Sequence, residues 1–306
     1  MSYLQKISYL SILLLAACFP KEDAVEPTPR INKSVMLDAG EYKNTVAFYS
    51  LDKAEVVAEA SPMDWDFYID EEVIRLNYFR SMQVAKFDQS WDKLEDTVGL
   101  DFRNLTYDSY ESMSQWELAE GQIYVVDYGL DNEFNPIGLT SVRFERTTTG
   151  VKIWQNAIGS DYETFEEVNE ASFYYNIREK RTLDLPKETE YDVAFGKYTD
   201  LVTIDNITQD YLIYGAIQGK ALAYYENEPF DSVKTEQFNA IRLMNNKDVL
   251  GWDWKNYNRP KDAYEIVDNR TYLIMSNAGF KYKLRFVSFY NTAGQSGHPT
   301  FEWKLL

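Results

Sequence analysis

The feature that most constrains this chain is that it repeats itself at long range. Met63-Asp64-Trp65-Asp66-Phe67-Tyr68-Ile69 falls, without a gap, on Thr189-Glu190-Tyr191-Asp192-Val193-Ala194-Phe195 when the sequence is slid by 126 residues. The same slide lays Phe48-Tyr49-Ser50-Leu51 on Tyr174-Tyr175-Asn176-Ile177. Further blocks follow in unchanged order. Val98-Gly99-Leu100-Asp101-Phe102 echoes Leu250-Gly251-Trp252-Asp253-Trp254, and Trp116-Glu117-Leu118 with Tyr124 falls on Tyr264-Glu265-Ile266 with Tyr272. Val142-Arg143-Phe144 is similar to Leu284-Arg285-Phe286. Collinear blocks of this spacing are too far apart for a solenoid repeat, and predict two similar modules, 33–159 and 160–306, with Trp65 and Tyr191 in equivalent buried strand positions.

The first residues give an address. Lys6 precedes a short apolar run, Ile7 to Leu15, too short to span a bilayer and of the length of a signal-peptide core. The run ends in Leu15-Ala16-Ala17-Cys18, which resembles a bacterial lipobox, so 1–17 reads as a lipoprotein signal and Cys18 as the lipidated residue. The blander reading is an ordinary secretory signal beside an incidental cysteine. Cys18 is the only cysteine, which excludes a disulfide framework within the chain. Lys21-Glu22-Asp23 resembles the surface-export signal of Bacteroidetes lipoproteins, and the prolines at 27 and 29 make 18–32 an acylated tether. The expected location is the outer membrane, lipid-anchored and facing the exterior.

Cleavage before Cys18 leaves 289 residues, enough for two ordinary domains. It removes only Lys6 from the charged residues, so 30 basic face 49 acidic ones. A net charge of −19 repels phosphate backbones and anionic head groups, which excludes nucleic acid as a partner and leaves the N-terminal lipid as the membrane attachment. With 24 Tyr and 17 Phe the aromatic share favours strands. Strand patterns cover Thr45–Tyr49, Ile123–Val126, Ser141–Phe144, Val151–Trp154 and Lys281–Val287, the last alternating so as to present one wet and one buried face. Asp131–Pro136 and Asn291–Gly294 carry turn chemistry. The chain therefore reads as all-β and antiparallel. One helix is expected, about Thr235 to Met244, with Phe238, Ile241 and Leu243 on one face. It lies in a segment, about Asp205 to Asp248, that is longer than its counterpart in the first half and is where protein-specific function is expected.

Enzymatic signatures are missing. Gly294-Gln295-Ser296-Gly297-His298 lacks the spacing of a nucleophile elbow, and no phosphate-binding glycine loop follows a strand. One histidine and one cysteine cannot build a zinc site rich in those ligands. Asp131, Glu133 and Asn135 alternate as calcium ligands sometimes do, but an acidic turn is much the commoner reading of such a pattern.

The C-terminal quarter, Tyr272-Leu273-Ile274, Lys281 to Asn291 and Gly294 to Glu302, resembles the end of HmuY-like lipoproteins. Tyr191-Asp192-Val193-Ala194-Phe195 is similar to that family's Trp-Asp-x-Ala-Phe block, and Leu250 to Trp254 also resembles it. The resemblance is best over about 160–306. It implies an all-β surface lipoprotein of Bacteroidetes that captures a ligand beside a TonB-dependent outer-membrane receptor, with haem as the family's ligand and no catalysis. Against that pattern the chain has a single histidine, His298, where the best-known members ligate iron with two. Methionine ligation would call on Met82, Met113 or Met244, which lie in expected loops; core filling is the commoner role of such methionines. Two alternatives stand beside capture: a ligand-free subunit docked on a transporter complex, and a carbohydrate-binding module. Asp96-Thr97-Val98 and Asp231-Ser232-Val233 resemble O-glycosylation sites of Bacteroidetes.

Overall fold

A computed structural model describes residues 32–40, 44–104, 117–131, 133, 135–160, 162–204 and 206–306. Cys18, Lys21, Glu22, Asp23 and Met113 lie outside the described residues, as does Trp116 of the repeated blocks. Every strand pairing within the described sheets is antiparallel, and the described residues include one short α-helix. No helix among these residues is long and apolar enough to cross a membrane.

Four main sheets carry the fold. One runs Asn32–Met36, Thr300–Leu305, Lys281–Ser288, Thr271–Met275, Leu222–Glu226. A second runs Thr164–Val168, Val151–Asn156, Leu139–Arg146, Ile123–Asp127, Gln83–Phe87, Arg103–Asn104. A third runs Ile207–Gln218, Val193–Ile204, Val46–Ser50, Glu55–Ala60, and the fourth Arg181–Leu183, Phe173–Asn176, Phe67–Ile69, Ile74–Leu76. Lys255–Asn258 and Ala263–Ile266 form a separate two-stranded ribbon.

The spacing of 126 residues is kept in these sheets in a reciprocal way. Tyr49 stands opposite Val193 and Phe48 opposite Ala194, while Tyr175 stands opposite Phe67 and Tyr174 opposite Tyr68. Adding 126 to one half of each pair and subtracting it from the other converts the first set into the second. The hairpin turns at 51–54 and 177–180 end alike, on Ala54 and Lys180 with φ of 59° and 52°. Asp66 N–H donates to Tyr175 O and Asp192 N–H to Tyr49 O, both at 2.9 Å. Each carboxylate then accepts the N–H two residues beyond that carbonyl, Ile177 to Asp66 at 2.9 Å and Leu51 to Asp192 at 2.7 Å. Trp65 and Tyr191 are both buried, but each sits two residues before its strand rather than within one.

The halves are consequently interlaced. The first strand of the chain's earlier half, Asn32–Met36, closes onto Thr300–Leu305, and Thr164–Val168 closes onto Val151–Asn156. The division expected at 159/160 is crossed by pairing in each of the four main sheets. Tyr49, Val193, Phe195, Trp254 and Phe286 bury one aromatic core, and Phe67, Phe144 and Tyr175 another. Between them Phe48, Trp65, Tyr174 and Tyr191 share a third, with Phe48 and Tyr191 rings 5.0 Å apart and Trp65 and Tyr174 rings 5.7 Å apart. Full burial of each such side chain contributes about 1.5–3 kcal/mol, so these clusters tie the two halves together.

Two local expectations change. The helix is only Thr235–Ala240: Ile241 is extended, and Met244 bridges to the Ala223 backbone instead of continuing the turn. Phe238 still packs against Val233 and Leu273, with Ile241 and Leu243 beside it. The strand Lys281–Ser288 buries Tyr282, Leu284 and Phe286 as its alternation predicts, but Lys283 on the other face is buried too. Its Nζ donates to Phe230 O at 2.5 Å and Val233 O at 2.8 Å, because the segment of 227–240 covers that face. The extra length of the later half is spent mainly on the hairpin Val193–Ile204/Ile207–Gln218, twelve residues a strand against three in Phe67–Ile69 and Ile74–Leu76.

Candidate functional site

The described haem-ligand candidates do not converge. Met82 is fully buried in the cluster of Phe67, Val84 and Tyr128. Met244 packs against the separate cluster around Tyr49, Trp254 and Phe286. His298 is held between strands, its N–H donating to Phe289 O and its Nδ1 3.3 Å from Asp38 Oδ1. Met82 and Met244 lie in separate clusters, so these two do not form an axial pair on a haem iron, which needs two donors on opposite sides of one ring. The acidic turn at Asp131 is satisfied internally: its Oδ1 accepts the N–H groups of Glu133 and Asn135 at 2.8 and 2.9 Å. No group of three or more His, Cys, Asp or Glu among the described residues is placed to hold a metal ion.

An open cleft of about 580 Å³ lies elsewhere, where four turns meet. Ser50, Asp52 and Lys53 come from the hairpin turn after Val46–Ser50; Thr189, Glu190 and Asp192 from the turn before Val193–Ile204. Lys220 follows Ile207–Gln218, and Asn277 with Ala278 forms the turn between Thr271–Met275 and Lys281–Ser288. Its volume is that of a small-molecule site. The walls are firmly set. Asn277 Nδ2 donates to Tyr191 O at 3.2 Å, and Tyr282 Oη donates to Asp52 Oδ1 at 2.8 Å.

Asp192 is the group under tension here. It is 2% exposed; Oδ2 accepts Leu51 N–H, and buried Oδ1 has no hydrogen-bond partner. Burial raises its pKa from the ordinary 3.8 to about 6, the Asp52 carboxylate adding to the rise. The N–H groups of Leu51, Asp52 and Asn277 pull the other way, the latter two from outside bonding geometry. Beside the cleft, Glu188 is buried between two cations, Arg75 Nη1 and Lys247 Nζ, the latter at 2.6 Å. Both cations hold its carboxyl below its ordinary pKa despite the burial that opposes them. This buried triad joins a strand of the earlier half to two turns of the later one.

Of the cleft residues, the repeated blocks contain Ser50, Thr189, Glu190 and Asp192, the last as one member of the repeated aromatic–Asp pair. Asp52, Lys220 and Asn277 were not identified. The signal available was the pair at offset 126, Asp52 against Arg178, where the repeat inverts a charge.

The sheets define an all-β, antiparallel fold built from two interlaced halves. The family model for HmuY protein matches residues 41–303, and the chain belongs to that family. Among solved structures it is similar to apo PinO from Porphyromonas gingivitis, at 8% identity and a TM-score of 0.37, covering 90% of this chain and 97% of that one. It is also similar to the apo HmuY analog TFO from Tannerella forsythia, at 12% identity and a TM-score of 0.29, covering 92% and 98%. Among curated proteins no match was found.

Proposed function

We propose that this chain is a non-enzymatic surface lipoprotein, anchored through Cys18, that captures a ligand for a TonB-dependent outer-membrane receptor. The observation that carries this is membership of the HmuY family over 41–303, joined to a lipobox-like start. Haem is the ligand to test first, because the family resemblance implies it. On this reading Met82, Met244 and His298 are not its ligands: the first two fill separate cores and the third is engaged by Asp38.

The test is a haem titration of purified wild type and His298→Ala, under air and under dithionite. The expected result is a spectrum without bis-histidine features, the same in both proteins. A shift lost specifically in His298→Ala would overturn the ligand assignment. No spectral change in either redox state would remove haem and leave the docked-subunit or glycan readings. The anchor is tested separately: Cys18→Ala releases the protein from membranes, because acylation supplies the attachment, and Lys21→Ala reduces surface display with acylation intact. Unchanged protease accessibility of Lys21→Ala on whole cells would refute the export signal.

A further inference from the structure

The strand Ile207–Gln218 lies at the edge of its sheet, and the rest of the chain covers that edge at one end. Ala216 N–H donates to Gly251 O and Gln218 N–H to Lys247 O, both at 2.8 Å. Lys255 Nζ donates to Tyr214 O at 2.5 Å. Alternate residues of a strand turn their backbone groups the same way, so Leu212, Asp210 and Thr208 also direct theirs outward. Among the described residues no strand pairs with them on that side.

Exposed edges are ordinarily blunted by lysine, proline, a bulge or brevity. This strand is twelve residues long, holds neither Lys nor Pro, and keeps an unbroken register with Val193–Ile204. Its open part instead exposes apolar side chains on one face: Ile207 is 64% and Tyr211 46% exposed. They stand two residues either side of Gln209, which is exposed as well. That spacing is self-complementary. An antiparallel copy laid against the edge with Gln209 facing Gln209 sets Ile207 opposite Tyr211 at both ends, and Thr208 opposite Asp210. A β-branched residue against an aromatic one is a favourable cross-strand pair. An axis at Asp210 would set that acidic residue against its own copy, and an axis at Tyr211 would leave Ile207 opposite Gly215.

We propose that two copies of this chain associate edge to edge through 206–212, antiparallel about a two-fold axis at Gln209. The outward N–H and C=O groups of Thr208 and Asp210 then bond between the copies, and the two Ile207–Tyr211 pairs cover each other's apolar surface. The contact is isologous, the same patch on both copies, and closes at two. Both copies carry a like net charge, and physiological salt screens that repulsion beyond about 8 Å. The association is independent of haem capture and of the cleft at Asp192.

Sedimentation of the mature chain carrying Cys18→Ala, at physiological salt, is expected to show a monomer–dimer equilibrium. The axis counts every substitution twice, so Tyr211→Lys should weaken dimerisation on the order of tenfold. Cys18→Ala also removes the only cysteine, so the register can be read by cross-linking. Added to that chain, Gln209→Cys places two thiols across the axis at non-hydrogen-bonded positions, where side chains approach closely enough to join, and mild oxidation should give a covalent dimer. Thr203→Cys, exposed one strand in from the edge, is the control that should not cross-link. A monomer at every concentration would overturn the proposal and leave the edge to a strand of another protein. Cross-linking of Gln209→Cys no faster than of Thr203→Cys, or unchanged dimerisation of a folded Tyr211→Lys, would overturn it as well.

Discussion

The twin carboxylates should answer the same substitution with opposite signs. Asp66 is 0% exposed and its partner Arg80 is also buried, held at 2.7 Å. Replacing Asp66 by Asn strands the Arg80 guanidinium and weakens its bond, and breaking one side of a buried pair costs about 3–5 kcal/mol. For a chain of this size that lowers Tm by roughly 10 °C. Asp192 has no cation. Its pKa of about 6, against 3.8 in the unfolded chain, means that ionisation costs the folded state about 3 kcal/mol once the pH exceeds both values. Asn at 192 keeps an oxygen for Leu51 N–H and removes that charge, so at pH 8 it should be neutral or stabilising by up to about 3 kcal/mol. Urea unfolding of both variants at pH 8, followed by tryptophan fluorescence, measures the contrast. Equal destabilisation by the two substitutions would refute the claim that Asp192 lacks a counterion.

Three further outcomes follow from the charges. Asp192 and Asp200 at about 6, and Asp248 at about 8, all raised chiefly by burial, bind protons in the folded state that the unfolded chain has released, so stability falls as pH rises from about 4 to 8. Lys255 at about 7 and Lys247 at about 8, lowered by burial, have released protons that the unfolded chain keeps to about 10.5, so stability recovers above pH 7; urea midpoints should be lowest near pH 7–8, and a steady rise from pH 5 to 8 would contradict this. Glu188→Ala leaves Lys247 buried without a counter-charge and Arg75 with only the partly exposed Glu117, 3.0 Å from its Nη2, and should cost about 3–5 kcal/mol or abolish folding, while adding Lys247→Met restores part of the loss, measured by the same unfolding curves. His298→Ala should cost only about 1 kcal/mol, since its side chain meets Asp38 at 3.3 Å near the surface, and a Tm drop above about 6 °C would show a larger role.

Strands were legible where side-chain alternation decides them. Val151–Asn156 and Lys281–Ser288 begin at the residues the pattern gives, and Ile123–Asp127 extends one residue past it. Partners were not legible. A period of two assigns faces, not neighbours, so nothing in Phe48-Tyr49 announces that it pairs with Val193-Ala194 rather than with its own half. The helix was overestimated because apolar spacing alone cannot see the backbone bridge at Met244. The later insertion was expected to hold the specific function, yet it gives the cleft only Lys220. Asp192 was visible as a repeated residue, but its lack of a partner depends on Arg80 having no counterpart, and Arg80 lies outside the repeated blocks.

The interlacing has a consequence for how such a chain is made. Emerging N-terminus first, Asn32–Met36 has no strand of its sheet to join until Thr300–Leu305 arrives, and Val46–Ser50, paired at once with Glu55–Ala60, keeps its other edge open until Val193–Ile204. Neither half can close its sheets early, so the nascent chain carries open edges for nearly its whole length, a hazard for misassembly. Pairings at such sequence separation also make folding slow. A truncation that removes only the last strand, Thr300–Leu305, therefore also leaves the strand Asn32–Met36 without its partner.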